Sequence, residues 1–235
     1  MENPWDLGKK KTVFRNRSLG FLLLALIVTA MVALAGEISI DGYMEGWLLQ
    51  LGEPIRVFSG LAVILGGTEL IIGVSILIMG TLLLTGHQSW ARFYLRLMFF
   101  GCFLAYVLKE GISRPRPEEL ISTNLWQLGT ETVSQSFPSG HVMKITFLLV
   151  FLLVFYGVRK NAGRSPGILG VAGVLIALVG LEQILNGRHF FTDVVGGFFW
   201  AMAWSYGNLY VETRKKHKGI YREKNDSLGD LTLEG

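Results

Sequence analysis

Six apolar stretches of this chain are each about as long as a bilayer is thick. They cover residues 18–36, 66–85, 92–110, 141–158, 166–186 and 190–210. A helix rises about 1.5 Å per residue, so about 20 residues cross a hydrocarbon layer of about 30 Å. Because 51% of the 235 residues are hydrophobic and only 17% are charged, the composition also favours a membrane protein. We therefore predict an all-α, polytopic bundle of six transmembrane helices.

The segment between the first two spans, residues 38–64, differs from its neighbours. It mixes charged residues such as Asp41 and Arg56 with Trp47 and several leucines. Such a mixture is typical of an amphipathic segment that lies at the membrane interface. We predict that this segment lies on the membrane, and we do not count it as a span.

Basic residues indicate how the six spans are oriented. Fifteen of the 22 Lys and Arg residues fall on the face that holds both termini, and five fall on the opposite face. Because cytoplasmic segments carry an excess of Lys and Arg, both termini are predicted to be cytoplasmic. The net charge of +4 follows from this bias and does not indicate nucleic-acid binding. The first span is expected to be a retained anchor, since no convincing signal-peptide cleavage site follows it.

This topology predicts three parts of the chain. Residues 1–17 form a basic cytoplasmic N-terminus, residues 18–211 form the six-span domain, and residues 212–235 form a poorly ordered cytoplasmic tail. The protein is expected in the inner or plasma membrane of a bacterium.

Three polar clusters fall on the extracytoplasmic face in this topology. They are LKEGISRPRP at the end of span three, FPSGH at the start of span four, and NGRHFFTD between spans five and six. The first contains Lys109, Arg114 and Arg116, and the third contains Arg188. Lys and Arg carry fixed positive charge, and a guanidinium group matches the oxygens of phosphate or carboxylate. The clusters therefore predict one composite site for an anion.

The turn formed by Pro138, Ser139 and Gly140 stands at the start of an apolar helix. A helix N-terminus has unpaired N–H groups and the positive end of the helix dipole, which favour phosphate. Ser139 adds a hydroxyl group, and Gly140 lets an oxyanion approach the backbone closely. An ordinary helix start would also use Pro and Ser. Next to the cations, the turn favours an oxyanion cradle.

Two histidines and an aspartate could supply the chemistry. His189 and Asp193 are four residues apart, so on a helix they share a face, and the carboxylate can fix the tautomer of the ring. The other ring nitrogen would then be a nucleophile, and His141 could protonate the leaving oxygen. The same side chains could bind a metal, but no further ligand has a telling spacing, so we predict neither a metal nor a cofactor.

At these residues the sequence resembles the type 2 phosphatidic acid phosphatase superfamily, which includes integral-membrane lipid phosphatases. The family pattern of a Lys, six residues and Arg-Pro is met by Lys109 and by Arg116 with Pro117. The pattern Pro-Ser-Gly-His is complete at residues 138–141. The resemblance places a catalytic core at residues 109–193.

The third family pattern is only partly kept. It is Ser-Arg, five residues, His, three residues, Asp, and the chain has His189 and Asp193 but Glu182 and Gln183 in place of Ser-Arg. The position of Gln183 would therefore lack a charge-assisted bond to phosphate, which is typically worth about 1.5–3 kcal/mol. Arg188 and Arg114 are the two candidates to replace that charge.

The resemblance also implies a role for each matched residue. Lys109, Arg116, Ser139 and Gly140 would bind phosphate, His141 would be the general acid, His189 the nucleophile, and Asp193 its partner. A phosphohistidine intermediate would form without a metal. The implied function is a lipid phosphatase that acts on a phosphomonoester or diphosphate at the extracytoplasmic face, with the loop at residues 118–135 as the expected selector of substrate.

Two alternatives use the same residues. A lipid phosphotransferase would pass the phosphoryl group from His189 to a second alcohol instead of water. A lipid-phosphate binder or transporter would keep the cradle without the reaction, as the change at Gln183 suggests. Binding alone, however, does not need the oriented imidazole that His189 and Asp193 provide.

Overall fold

The computed structural model describes residues 7–35, 39–50, 67–117, 135–159 and 166–231, and every regular element within these ranges is helical. In chain order the helices are α1 (Leu7–Ala35), α2 (Ser39–Gln50), α3 (Thr68–Leu84), α4 (Gln88–Leu95), α5 (Gly101–Ile112), α6 (Gly140–Arg159), α7 (Pro166–Leu185) and α8 (Phe191–Leu231). A π-helical turn at Arg96–Phe100 joins α4 to α5. The predicted all-α class is confirmed for the described residues.

Four segments of these helices are long and apolar enough to cross a membrane. They are Lys10–Ala35, Gln88–Ile112, Gly140–Gly157 and Pro166–Leu185. Helix α3 is also apolar but has only 17 residues. Helix α8 is not among the four; its first half mixes apolar residues with Gly, Trp, Ser, Tyr and Asn, which lower its mean hydropathy. The count of six spans therefore stays a prediction for these last two helices.

Helices α6 and α8 organise the bundle. Helix α1 packs along α8, and α6 packs against α3, α5, α7 and α8. The contacts around α6 include Tyr94, Phe147 and Phe151, all almost completely buried. Because α6 and α8 lie against each other, the polar turn that precedes α6 is held next to the first turn of α8.

Two glycines of α8 make this close approach possible. A Cβ atom added at Gly197 would lie 2.8 Å from the carbonyl oxygen of Ser139, and one added at Gly196 would meet the ring of Phe137. No larger residue fits at these positions unless its neighbours move. The glycines therefore fix how near α8 lies to the turn that precedes α6.

The predicted interfacial segment, residues 38–64, is described only in part. Helix α2 packs against α7 and α8, and residues 51–66 lie outside the described residues. Asp41 and Leu48 of α2 are buried against the rest of the protein. The position of the segment at a membrane interface stays a prediction, but Asp41 does not belong to a solvent-exposed charged face.

Helix α8 continues to Leu231, past residue 211, where the predicted six-span domain ends. The poorly ordered cytoplasmic tail at residues 212–235 stays a prediction. The stretch from Glu212 to Lys224 is rich in Glu, Lys and Arg, which favour helix even where no apolar face is buried.

Candidate active site

The three polar clusters of the sequence meet at one end of the bundle. The Nζ atom of Lys109 donates hydrogen bonds to the carbonyl oxygens of Gln135 and, at 3.3 Å, Ser136. The backbone N–H of Ser139 donates to the carbonyl oxygen of Asp193 at 3.0 Å. These bonds connect the end of α5, the turn before α6 and the start of α8.

His189 and Asp193 form a buried pair in which Nδ1 lies 3.6 Å from Oδ2. The ring of His189 is only 2% exposed. Burial lowers the pKa of His189 below its ordinary value, although the neighbouring Asp193 acts in the opposite direction. The ring is therefore held in the neutral form, which is the nucleophilic form.

The carboxylate of Asp193 is fixed from several sides. Its Oδ2 atom accepts hydrogen bonds from the hydroxyl of Ser136 and, at 2.8 Å, from the backbone N–H of Phe190. Its Oδ1 atom accepts a hydrogen bond from Nη1 of Arg114 at 2.6 Å. Asp193 is the third residue of α8, and its bond to the N–H of Phe190 also caps the N-terminus of this helix. Asp193 has little freedom to turn away from His189.

The two histidines lie close together, one at the start of α6 and the other in the turn before α8. The ring centroids of His141 and His189 are 6.5 Å apart. His141 is the second residue of α6, whereas His189 lies in the turn that precedes α8. A group bound between the rings can therefore contact both of them.

The turn before α6 has the geometry of a helix N-terminus. Helix α6 begins at Gly140, and the carbonyl oxygen of Ser139 accepts a hydrogen bond from the N–H of Met143 at 3.1 Å. Ser139 is fully buried, yet its hydroxyl has no hydrogen-bond partner within the described part of the chain. A buried hydroxyl without a partner is costly, so this group is suited to a bound oxyanion.

Arg116 is half-buried near the same turn. Burial lowers the pKa of Arg116, the positive charge of Arg188 lowers it further, and Asp193 raises it. The guanidinium groups of Arg116 and Arg188 are thus close enough to interact electrostatically. Cations brought together in this way repel each other, and a bound anion relieves the repulsion.

Arg114 is placed differently from the other cations. It is only 4% exposed, its Nη2 atom donates to Oδ2 of Asp41 at 2.7 Å, and its guanidinium lies 4.1 Å from the ring centre of Phe190. With its bond to Asp193 it joins two carboxylates. This placement disfavours Arg114 as a direct phosphate ligand and makes it a support for Asp193.

Gln183 is buried where the family pattern has Arg. Its side-chain N–H donates to Glu182, and its backbone carbonyl accepts the N–H groups of Arg188 at 3.0 Å and His189 at 3.1 Å. The turn between them uses Gly187 at a φ of 60°. Gln183 therefore shapes the turn that carries His189.

Arg188 is held by Glu182, which stands where the family pattern has Ser. Its Nη1 atom lies 3.8 Å from Oε1 of Glu182, while 40% of its side chain stays exposed. The same buried carboxylate oxygen accepts a hydrogen bond from the side chain of Asn186 at 2.7 Å. Glu182 thus holds a cation at the rim of the site.

Two residues of this site were not predicted from the sequence. Ser136 stands next to the matched turn and binds Asp193, and Asp41 reaches the site from α2. Asp41 was one of several charged residues in the predicted interfacial segment, and nothing in the sequence set it apart from the others. Of the predicted selector loop at residues 118–135, only Gln135 belongs to the described residues.

A comparison with protein families gives one match. Residues 90–216 match the PAP2 superfamily. Among curated proteins, phosphatidylglycerophosphatase B of Bacillus subtilis (strain 168) is 36% identical over 132 residues, which cover 52% of this chain and 59% of that protein. The chain thus matches less than two thirds of the length of this relative.

Two solved structures are similar to the fold. A transmembrane PAP2-type phosphatidylglycerolphosphate phosphatase from Bacillus subtilis has a TM-score of 0.63 at 24% identity, covering 87% of this chain and 97% of that one. LpxE of Aquifex aeolicus has a TM-score of 0.55 at 20% identity, covering 74% of this chain and 96% of that one. With the four apolar segments, these likenesses identify an integral membrane protein.

Proposed function

This chain belongs to the PAP2 superfamily, and from that membership we propose that it is a membrane phosphatase that hydrolyses a lipid phosphomonoester or diphosphate. The observation that carries the proposal is the buried pair of His189 and Asp193 beside the unpartnered hydroxyl of Ser139. A neutral, oriented imidazole next to an oxyanion cradle suits phosphoryl transfer. A purely structural pair would not need the cradle.

The cradle binds the phosphate of the substrate. Lys109 and Arg116 supply positive charge, the hydroxyl of Ser139 donates a hydrogen bond, and the N–H of Gly140 stands at the start of α6. These groups stabilise the charge that the transferring phosphoryl group carries in the transition state.

The reaction passes through a phosphohistidine. Because Nδ1 of His189 faces Asp193, Nε2 is the attacking atom, and the N–P bond forms as the P–O bond to the lipid breaks. His141 gives its proton to the leaving lipid oxygen. Water, deprotonated by His141, then attacks phosphorus, and the N–P bond breaks to release inorganic phosphate. Asp193 stabilises the positive charge on His189 between the two steps.

Arg188 replaces the charge that Gln183 lacks. Its anchoring by Glu182 and its electrostatic influence on Arg116 support this role. Its exposed position suggests a contact with an outer oxygen of the phosphate. The buried Glu182 cancels part of the added charge, so the site has less net positive charge than the family pattern would give.

A lipid is the proposed substrate because the site residues lie at the ends of helices that are apolar enough to cross a membrane. Phosphatidic acid, phosphatidylglycerol phosphate, an isoprenyl diphosphate and a lipid A phosphate all present the required group. The name of the B. subtilis relative, phosphatidylglycerophosphatase B, puts phosphatidylglycerol phosphate first in a screen.

The proposed topology has six spans, cytoplasmic termini and an extracytoplasmic site. The bias of Lys and Arg toward the face with the termini supports it. Cysteines introduced at Thr123 and Asn161, both outside the described residues, test the orientation in intact cells. An impermeant thiol reagent should label position 123 but not position 161, and the reverse pattern would mean that the protein is inverted.

The mechanism is tested with purified protein, lipid substrate labelled at the phosphate, and a chelator present throughout. A rapid quench should trap acid-labile, base-stable phosphate on the wild-type protein, and His189→Ala should show neither this adduct nor turnover. His87→Ala is the matched control, because His87 precedes α4 at the opposite end of the bundle. Turnover without an adduct, or an adduct on His189→Ala, would refute the assignment.

Product analysis in the same assay separates the alternatives. Hydrolysis releases inorganic phosphate, whereas a phosphotransferase yields a new phosphorylated alcohol. A lipid-phosphate binder would retain substrate without either product.

A further inference from the structure

Asp41 is a buried acidic residue that approaches the site from outside the region matched to the family, residues 90–216. We propose that Asp41 is a positioning residue for the reaction, which acts through Arg114 and Thr192 to hold Asp193 against His189. The inference rests on the proposed phosphatase function and adds a residue of α2 to its machinery.

Asp41 contacts the start of α8 with both of its carboxylate oxygens. Oδ1 of Asp41 accepts a hydrogen bond from the backbone N–H of Thr192 at 2.8 Å, and Oδ2 accepts one from the hydroxyl of Thr192 at 2.8 Å. Thr192 is the second residue of α8, where backbone N–H groups have no partner within the helix. Asp41 therefore caps α8 from another helix and fixes the turn that carries Asp193.

Arg114 also links Asp41 to Asp193 through a chain of buried charges. The guanidinium donates to Asp41 through Nη2 at 2.7 Å, and to Asp193 and Thr192 through Nη1 at 2.6 and 2.8 Å. One buried cation is thus shared between two buried carboxylates. Its attraction for Asp193 is moderated by Asp41, which leaves Asp193 able to stabilise positive charge on His189.

Neutralising Asp41 should change both geometry and charge. Of the two carboxylates that bind Arg114 in the described residues, Asp193 alone would then keep its charge. Asp193 would be drawn toward the guanidinium and would support the imidazolium of His189 less well. The rate of the chemical step should fall, whereas binding of the phosphate by the separate cradle should persist.

The pH dependence of the rate distinguishes this role of Asp41 from a merely structural one, which would leave the pH profile unchanged. The charged and titratable groups that act on His189 are Asp193, Lys109, Arg116 and, on the adjacent helix, His141. All of them remain in an Asp41→Asn variant, but the buried negative charge of Asp41 is lost and Asp193 supports the imidazolium of His189 less well. Protonated His189 becomes less favourable, and the acid limb of kcat/KM should move to lower pH.

The experiment compares wild type, Asp41→Asn and the matched control Glu212→Gln in detergent, with the lipid phosphate that wild type turns over. Glu212 also pairs with an arginine, Arg96, between helices, but it lies about 28 Å along α8 from Asp193. We expect Asp41→Asn to lower kcat at least tenfold with KM within twofold and to shift the acid limb to lower pH. Glu212→Gln should keep the wild-type kcat and acid limb.

If Asp41→Asn has the kcat of wild type and the same acid limb in its pH profile, the inference is overturned while the phosphatase function stays intact. Absence of turnover in wild type would instead refute the proposed function. If Asp41→Asn does not fold, Asp41→Glu keeps the charge and displaces the oxygens. It should then lower kcat without moving the acid limb, and wild-type kcat in that variant would equally overturn the inference.

Discussion

Helix α8 approaches the proposed phosphate cradle closely at Gly197, which makes Gly197→Ala a sharp perturbation. The new Cβ atom would lie 2.8 Å from the carbonyl oxygen of Ser139 and 3.3 Å from its backbone nitrogen. Both are backbone atoms, so no side chain can rotate to make room. The helix and the turn must separate.

The size of the effect follows from these distances. Ordinary contact begins at 3.4 Å, so the turn must move by about 0.6 Å relative to α8. That movement stretches the bond from Ser139 N–H to the carbonyl of Asp193, now 3.0 Å. It also displaces the cradle from His189. Overpacking of this kind costs about 1–3 kcal/mol of stability, and a displacement approaching 1 Å can cost about 100-fold in rate.

The assay measures release of inorganic phosphate and thermal unfolding of the purified variant. We expect a loss of kcat between about tenfold and 100-fold together with a lower Tm. Gly173→Ala in α7 is the matched control, since a Cβ atom there meets nothing within 4 Å in the described residues. It should keep wild-type activity. If Gly197→Ala behaves like Gly173→Ala in both measurements, the close approach of α8 does not set the geometry of the site.

Two further predictions concern charge. Lys109→Ala and Arg116→Ala should each lower kcat/KM by about 100-fold or more. Arg188→Ala should lower it by about tenfold, because the Arg188 side chain is partly exposed. Equal small effects of all three variants in steady-state kinetics would contradict the proposed phosphate cradle. Because burial lowers the pKa of His189 below 6.5 and the neutral ring is the nucleophile, the acid limb of kcat/KM should lie below pH 6.5. A pH–rate profile with its acid limb above that value would contradict the assignment of His189.

The meeting of the three clusters could be predicted from the sequence because their chemistry is complementary. Fixed cations, a helix-start turn and a His–Asp pair call for one anionic ligand, and the spacing of His189 and Asp193 already fixes their proximity. The length of α8 was harder to predict, because the sixth predicted span ends at residue 210 whereas the helix continues through a charged stretch to Leu231.

The different positions of Arg114 and Arg116 could not be predicted. Each precedes a proline, which favours an extended backbone, and in a polyproline-type chain with three residues per turn they point about 120° apart. The sequence does not say which of the two meets a carboxylate. The structure shows that Arg114 meets Asp41, 73 residues earlier in the chain, as well as Asp193.

The contact between the first and last helices has a consequence for the biosynthesis of the protein. The hydroxyl of Ser18 in α1 donates to the carbonyl oxygen of Ala203 in α8, 185 residues later, and the bonds from Thr192 to Asp41 span 151 residues. A ribosome delivers these partners in order, so α1 and α2 enter the membrane long before the residues they bind have been made. We therefore expect the nascent chain to be inactive until α8 has been made. A chain that stops before Phe190 lacks Asp193, the carboxylate that pairs with both Arg114 and His189.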